Sequence, residues 1–519
     1  MMCSAALSNN REEHDMRRKV VYTVLLLEAL LCMLFGCTAQ TYSVDYCGEK
    51  SMYDCAMDAY HAGKEVVLYY PITASDTNYI FRLDGEKLFN VEYDNEKGYF
   101  IIRFTMPDHD VKLECVTENA SAATVPETNT ETETEPLRFL TLIKSYHYNK
   151  EYDAETSLLL AQNRYSCVTL HADDIGDFPA LAETLEQNAA MEKRSMDDEF
   201  DNLIGFAKES LSAGGTEYFR QQVSSLDILV RRADSLVVSL LSDSYADYGF
   251  IEGYRAFHGT NLDAETGCEL ALNDVICDMD SVIQIIKKEL NRYTWQGEYH
   301  SETAVEDYFA ETPEDGISWT LDYNGVTFYF MPGDLCDAGF GNQTATVSFT
   351  EHPEVFVKKY FGEPTAYITA LAQNLPYFTN LDAEPDLEEI NSMNFVSDEG
   401  IGYGSFGLYT DIDSYYYSED LFAYAYHPYY VKTADDGHYL YLFCEQTEEG
   451  SRDMRLLVFD ASGGRFTKVG EINACPGFMF PDSFIVPSDP YGFRLDNRDT
   501  PEQEEVYTVG ENGMPVLKL

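Results

Sequence analysis

FIEGYRAFHGTNLDAETGCELALNDVICDMDSVIQIIKKEL, residues 250–290, changes its period halfway along. As far as Gly267 two short apolar runs flank a DAETG turn, the pattern of strand, turn, strand. From there Val275, Met279, Val282, Ile283, Ile286 and Leu290 fall at the spacing of an amphipathic helix. Nothing in the segment pairs a nucleophile with a base or groups side chains at a metal-binding spacing. It predicts a sheet with a helix laid on it, and binding rather than chemistry.

The neighbouring sequence extends that pattern over residues 137–362. SYHYNKEYDAETSLLLAQNRYSCVTL (145–170) is strand-like. After Pro179 a helix is expected, with Leu181, Leu185, Met196, Phe200, Leu203, Phe206 and Leu211 facing a core until Gly214-Gly215. Strands are expected at 221–230, 235–241 and 250–261. WTLDYNGVTFYF (319–330) reads as a hairpin, its Asn324-Gly325 pair being the strongest two-residue turn signal in the chain.

On either side the composition changes. Residues 41–117 read as a small all-β domain, since Val66, Leu68 and Tyr70 alternate, as do Val111, Leu113 and Cys115. Residues 118–136, ENASAATVPETNTETETEP, form an acidic Thr/Glu linker with nothing large to bury. Residues 363–519 read as a β-rich C-terminal domain in which HYLYLFCEQ and RLLVFDASGGRFTKVGEI pair, and Tyr-rich 395–430 reads as a half-buried sheet face. The fold class expected is therefore α+β: a central antiparallel sheet with packed helices, flanked by an N-terminal small all-β repeat and a C-terminal β-rich domain.

With 519 residues the chain exceeds one core. The 90 Asp+Glu against 35 Lys+Arg leave a formal charge of -55, which repels nucleic acid and attracts basic proteins. Twelve Cys occur without a CxxC or a Cys/His cluster, so no structural metal is expected. Cys47 with Cys55, and Cys268 with Cys277, are close enough in sequence to pair.

Residues 1–36 read as a signal peptide. Arg17, Arg18 and Lys19 precede a 17-residue apolar run, 20–36, short for a membrane span of ~20 residues. Leu34-Phe35-Gly36-Cys37 resembles a bacterial lipobox, which implies lipid on Cys37 and an anchor to the outer face of the cytoplasmic membrane. An uncleaved anchor or an ordinary secretion signal would leave the bulk of the chain outside as well.

Several motifs tempt and fall short. Gly402, Gly404 and Gly407 satisfy GxGxxG but no helix follows to hold a pyrophosphate. Asn261, Asp263 and Glu265 fit a hairpin turn better than a calcium loop, Asp411 and Asp413 are a weak calcium signal, and Asp108, His109 and Asp110 suit a polar turn. No Walker loop, HExxH or GxSxG is present. No catalytic residue, cofactor or metal is assigned. His258, at a strand end beside Gly259, is the candidate ligand contact, although a structural His is the commoner outcome.

Two resemblances add to this. Ala62 to Tyr70 and the FTMPDHDVKLECV run (104–116) resemble a bacterial surface repeat of the internalin B type, which implies a spacer or adhesive module. GYRAFHGTNLDAETGCELALNDVI, YNGVTFYFMPGDLCDAGFG and VSFTEHPEVFVKKY resemble the extracellular domain of unknown function of RsiV-type anti-sigma factors, also found beside some peptidoglycan deacetylase domains; about 220 of 519 residues are covered. That resemblance implies an α+β binding module whose ligand, in RsiV-type proteins, is lysozyme. Only 19 residues precede the apolar run and no deacetylase motif is present, so the binding module alone is carried over. The function expected is a non-catalytic cell-surface lipoprotein binding a basic, lysozyme-like protein or a cell-wall ligand. The alternatives are a glycan-processing enzyme with an unrecognised carboxylate site and a structural or adhesive surface protein.

Overall fold

The structure, a computed structural model, describes residues 41–45, 59–62, 64–71, 77–83, 86–87, 91–94, 99–107, 109–119, 137–249, 253–293, 299, 301, 303–382, 386–397, 402–446, 454–475, 483–496 and 504–518. The chain divides into two compact units, Met1–Glu133 and Thr134–Leu519. The leader and Cys37 lie outside the described residues. Among the described residues no helix is long and apolar enough to cross a membrane.

The first unit contains β1 (Thr41–Asp45), β2 (Ala59–His61), β3 (Glu65–Pro71), β4 (Thr77–Leu83), β5 (Glu86–Lys87), β6 (Val91–Asp94), β7 (Tyr99–Thr105) and β8 (Val111–Asn119). They form sheets ordered β2-β1-β8-β4-β5 and β3-β7-β6. Val66, Leu68 and Tyr70 of β3 alternate inward and pack with Phe104, Met106, Val111 and Leu113. Asp110 accepts from the Ser43 amide at 2.6 Å, which makes it a strand-tying residue; Asp108 lies outside the described residues.

The second unit opens with β9 (Leu142–Tyr152), β10 (Leu159–Leu170), α1 (Ala172–Ile175), α2 (Pro179–Tyr218), β11 (Gln222–Ala233), β12 (Val237–Asp247) and β13 (Tyr254–Asp263). Next come α3 (Leu272–Val275), α4 (Met279–Tyr293), α5 (Ala304–Glu311), β14 (Ser318–Leu321), β15 (Gly325–Phe330) and β16 (Gln343–Ser348). It continues with β17 (Tyr367–Ala370), β18 (Tyr377–Thr379), β19 (Glu388–Val396), β20 (Tyr403–Thr410), β21 (Tyr415–Glu419), β22 (Tyr426–Lys432), β23 (His438–Glu445), β24 (Met454–Asp460) and β25 (Thr467–Cys475). It closes with β26 (Ser483–Val486), β27 (Phe493–Asp496), β28 (Glu504–Val509) and β29 (Pro515–Leu517).

The expected α+β fold, one central antiparallel sheet carrying helices, is overturned. The described residues are mostly β, 47% strand against 23% helical, and form seven sheets and five α-helices. The largest sheet, β13-β12-β11-β10-β9-β26, is mixed, because β10 and β11 run parallel and α2 supplies the crossover that parallel neighbours need. β26 pairs with β9, so residues beyond 362 complete a sheet begun at Leu142.

The physical reason for the miss lies in HYLYLFCE and MRLLVFD, the sequences of β23 and β24, which are apolar at consecutive positions. A strand covered on both faces reads that way. One face of the sheet β17-β22-β23-β24-β25, with Tyr429, Tyr441, Phe443 and Leu456, shares a core with Tyr146, Leu229, Leu241 and Phe257 of the six-stranded sheet. The other, with Tyr430, Leu440, Leu442 and Phe459, packs on Ile390, Phe406 and Leu408 of the sheet β18-β19-β20-β21. Sheet therefore packs on sheet, and the C-terminal strands form the middle layer.

Within 250–290 the first strand is β13, but the expected second strand reduces to a single bridge, Leu262 to Glu269, before α3. Gly267 adopts φ +67, and a Cβ there would meet the Ala180 carbonyl oxygen at 2.6 Å, so the turn is pressed against the start of α2. Of the helix-facing residues expected after Pro179, Leu181, Leu185, Met196 and Leu203 are buried, while Phe206 is exposed with its edge against Tyr248. Cys268 and Cys277 are free thiols, so their suggested pairing does not form; Cys47 and Cys55 lie outside the described residues.

Candidate functional site

The helix stripe in residues 275–290 has more apolar width than the core uses. Val282, Ile286 and Leu290 are buried against Leu321, Val326, Phe328 and Val347 of the sheet β14-β15-β16. Met279 and Ile283, one turn edge to the side, are only partly covered. They look into a groove of about 700 Å³ between α4 and α5, floored by Ile276, Ile283, Phe309 and Ile317. Phe309 is held in place edge-on to Phe328 at 5.6 Å.

Its rim is acidic. Asp280, Glu306 and Glu314 line it, and no Lys or Arg does among the described residues. Glu306 Oε1 accepts from Lys287 Nζ at 2.7 Å and more weakly from Gln284 at 3.4 Å. Its other oxygen, Oε2, is buried without a partner. The hydrogen bond from Lys287 holds the Glu306 carboxyl below the usual range, so it stays ionised.

A second polar feature lies between the sheets. Lys144 on β9 reaches Asp227 on β11 at 2.7 Å, and Ser166 donates to the same carboxylate oxygen at 2.9 Å. Arg164 on β10 pairs with Glu445 on β23, and His427 on β22 lies 2.8 Å from the same Glu445 oxygen. The Arg164 guanidinium sits over the rings of Tyr146 and Tyr148, at 4.9 and 5.2 Å. Burial pushes Glu445 up, but the Arg164 charge and the His427 contact outweigh it and its carboxyl ends below the usual range. Burial lowers Lys144, with Asp227 working against it. Each charge here is matched by a near neighbour, and the Arg164–Glu445 pair ties one sheet to the other. Asp243, opposite Asp227 and paired with Arg255, is the neighbouring carboxyl that burial pushes up.

Raised carboxyls occur elsewhere. Burial pushes Glu192, near Cys167, and Glu389, near Asp411, up to about 7. Among the described residues no group of three or more His, Cys, Asp and Glu is placed to hold a metal ion.

His258 is exposed on β13, in register with Ser242 of β12. Strand alternation turns it away from the face of Phe257 and Asp243, so it joins neither the groove nor the seam. Asn261 is buried, accepting from Ser239 Oγ and the Leu321 amide and donating to the Trp319 carbonyl; Asp263 accepts from Thr266, Lys359 and Tyr360. Both are spent on structure. The glycines at 402, 404 and 407 border or lie in β20 and lead to no α-helix, while Asp411 accepts from the Glu389 amide and Asp413 pairs with Arg465. Sequence reasoning missed the seam and the acidic rim. Met279 and Ile283 on the apolar stripe were the available signal for the groove; the seam had none, since Arg164 and Glu445 stand 281 positions apart.

No family model matches the chain, and no curated protein does. Solved structures similar to it include a crystal structure of a DUF3298 family member from Bacteroides fragilis, 12% identical, covering 43% of this chain and 94% of that one with a TM-score of 0.32. A second, a DUF3298 family protein from Pseudomonas aeruginosa, is also 12% identical and covers 43% of this chain and 97% of its own, with a TM-score of 0.30. Those structural neighbours are thus bacterial proteins of a domain family of unknown function. At such values the likeness passes no site and no ligand from them to this chain.

Proposed function

We propose that the chain is a non-catalytic lipoprotein, anchored through lipid on Cys37 to the extracytoplasmic face of a bacterial cytoplasmic membrane, that binds a basic protein through residues 137–362. The observation that carries this reading is where the charge goes. Of a chain with 90 acidic and 35 basic residues, cations such as Lys144, Arg164, Arg231, Arg232 and Arg255 are drawn into internal ion pairs. The excess of carboxylates over cations sets up a negative field that speeds and strengthens encounter with a basic surface. The resemblance to the RsiV-type binding module makes lysozyme the natural probe.

The chain from Thr38 onward, immobilised and exposed to lysozyme, should bind it with a Kd that weakens at least about tenfold between about 50 and about 500 mM salt. Absence of binding, or binding indifferent to salt, would count against the reading. Mass spectrometry of the mature N-terminus checks the anchor, which an unmodified Cys37 would exclude.

A further inference from the structure

The groove between α4 and α5 is shaped and charged for one kind of visitor. Apolar side chains of α4 extend past the strip that β14-β15-β16 covers, and α5, tied to α4 through Glu306 and Lys287, leaves a groove of about 700 Å³ beside them. A further helix laid in such a gap would bury Met279, Ile283 and Phe309 as neighbouring helices bury one another. The rim carries Asp280, Glu314 and Glu306, the last already paired through Oε1 with Lys287, and no Lys or Arg is among the described lining residues. Glu306 Oε2, buried and without a partner, lacks a donor that the groove itself does not supply.

We propose that this groove is a docking site for a basic amphipathic helix of a partner protein, its apolar face seated on Ile276, Ile283, Phe309 and Ile317 and its Lys or Arg side chains on Asp280, Glu306 and Glu314. The inference deepens the reading of the chain as a receptor for a basic partner and rests on it. Charge decides the occupant. An acidic segment would bring no donor to Glu306 Oε2 and would face the like charges of Asp280 and Glu314. A second copy of this chain, at -55, would meet the same repulsion over its whole surface.

The test uses the purified chain and three synthetic peptides of about five helical turns each. The first carries Leu on one face and Lys on the other, the second has Glu in place of Lys, and the third is a scramble of the first with no apolar face. Fluorescence anisotropy should show the Leu/Lys helix binding at least about tenfold tighter than either control. Ala310→Trp, at an exposed position on the groove wall, should weaken it by a similar factor by filling the gap, and so should the pair Asp280→Lys and Glu314→Lys. Circular dichroism of each variant checks that the fold is kept. If the Leu/Lys helix and its scramble bind alike, and Ala310→Trp changes nothing, the groove proposal falls while diffuse attraction to a basic partner survives. If neither the peptides nor lysozyme bind, both fall. Concentration-dependent dimerisation abolished by Ala310→Trp would overturn the proposal in favour of self-association.

Discussion

Arg231 shows how much of this protein hangs on single buried charges. It lies on β11, 3% exposed, and donates through Nε and Nη2 to both oxygens of Asp322 at 3.0 and 2.6 Å. It also donates to the Ala370 carbonyl at 2.7 Å and stacks over Tyr377. One side chain thus joins the six-stranded sheet, the β14–β15 turn and the strand β17. Replacing it with Leu strands the Asp322 carboxylate in the core, and the expected cost is about 3–5 kcal/mol, read as a lower urea midpoint. Adding Asp322→Leu should recover more than half of that loss. A cost under about 1 kcal/mol for the single change would show that the pair contributes little. In the sequence Arg231 is one of two adjacent arginines in an apolar strand, and nothing local points to a partner 91 positions away.

At the scale of elements the contact that fixes the layout is β13 against β14. Gly259 lies so close to the Trp319 carbonyl that a Cβ would sit 1.7 Å from its oxygen, and Ser318 Oγ bridges by accepting from the Gly259 amide and donating to the Phe257 carbonyl. Gly259→Ala must push the two strands apart. We expect a loss of about 1–3 kcal/mol or more, while His258→Ala at the exposed neighbouring position stays within about 0.5 kcal/mol. Equal effects from the two would remove the close approach as the cause. Much was legible at this scale. The α4 stripe and the hairpin over 319–330 were visible, because each is a local pattern. The reason for Gly259 was not, since it depends on a strand some sixty residues on.

For the whole molecule the question is what holds sheet to sheet. The seam does so through Arg164 and Glu445, with Lys144 and Asp227 pairing beside them within the six-stranded sheet. Burial raises both carboxyls, but Lys144 and His427 around Asp227, and Arg164 and His427 around Glu445, bring both below their ordinary values. Because their folded pKa values lie below the unfolded ones, the stability they contribute is present above the ordinary carboxylate pKa. It is lost as pH falls through the lower folded values, a window that opens below about pH 4. Glu445→Gln should therefore cost about 1–3 kcal/mol at pH 7, with the gap to the unsubstituted chain closing as pH falls toward about 2. Denaturant unfolding at the two pH values checks this, and a gap constant with pH would show that shape rather than charge is at stake.

By itself the sequence determined what repeats over a few residues: the periods of β13 and α4, the hairpin over 319–330, the strands at 438–445 and 454–460, the acidic balance. A side chain's period along the backbone is enough to say which face it shares with its near neighbours. Only the tertiary structure decided which surface each face met. β23 and β24 became a middle layer, β26 closed a sheet begun more than three hundred residues earlier, and α5 left an acidic-rimmed groove beside α4. Pairing between distant segments is chosen by summed burial and register over the whole chain, and no single stretch carries that information.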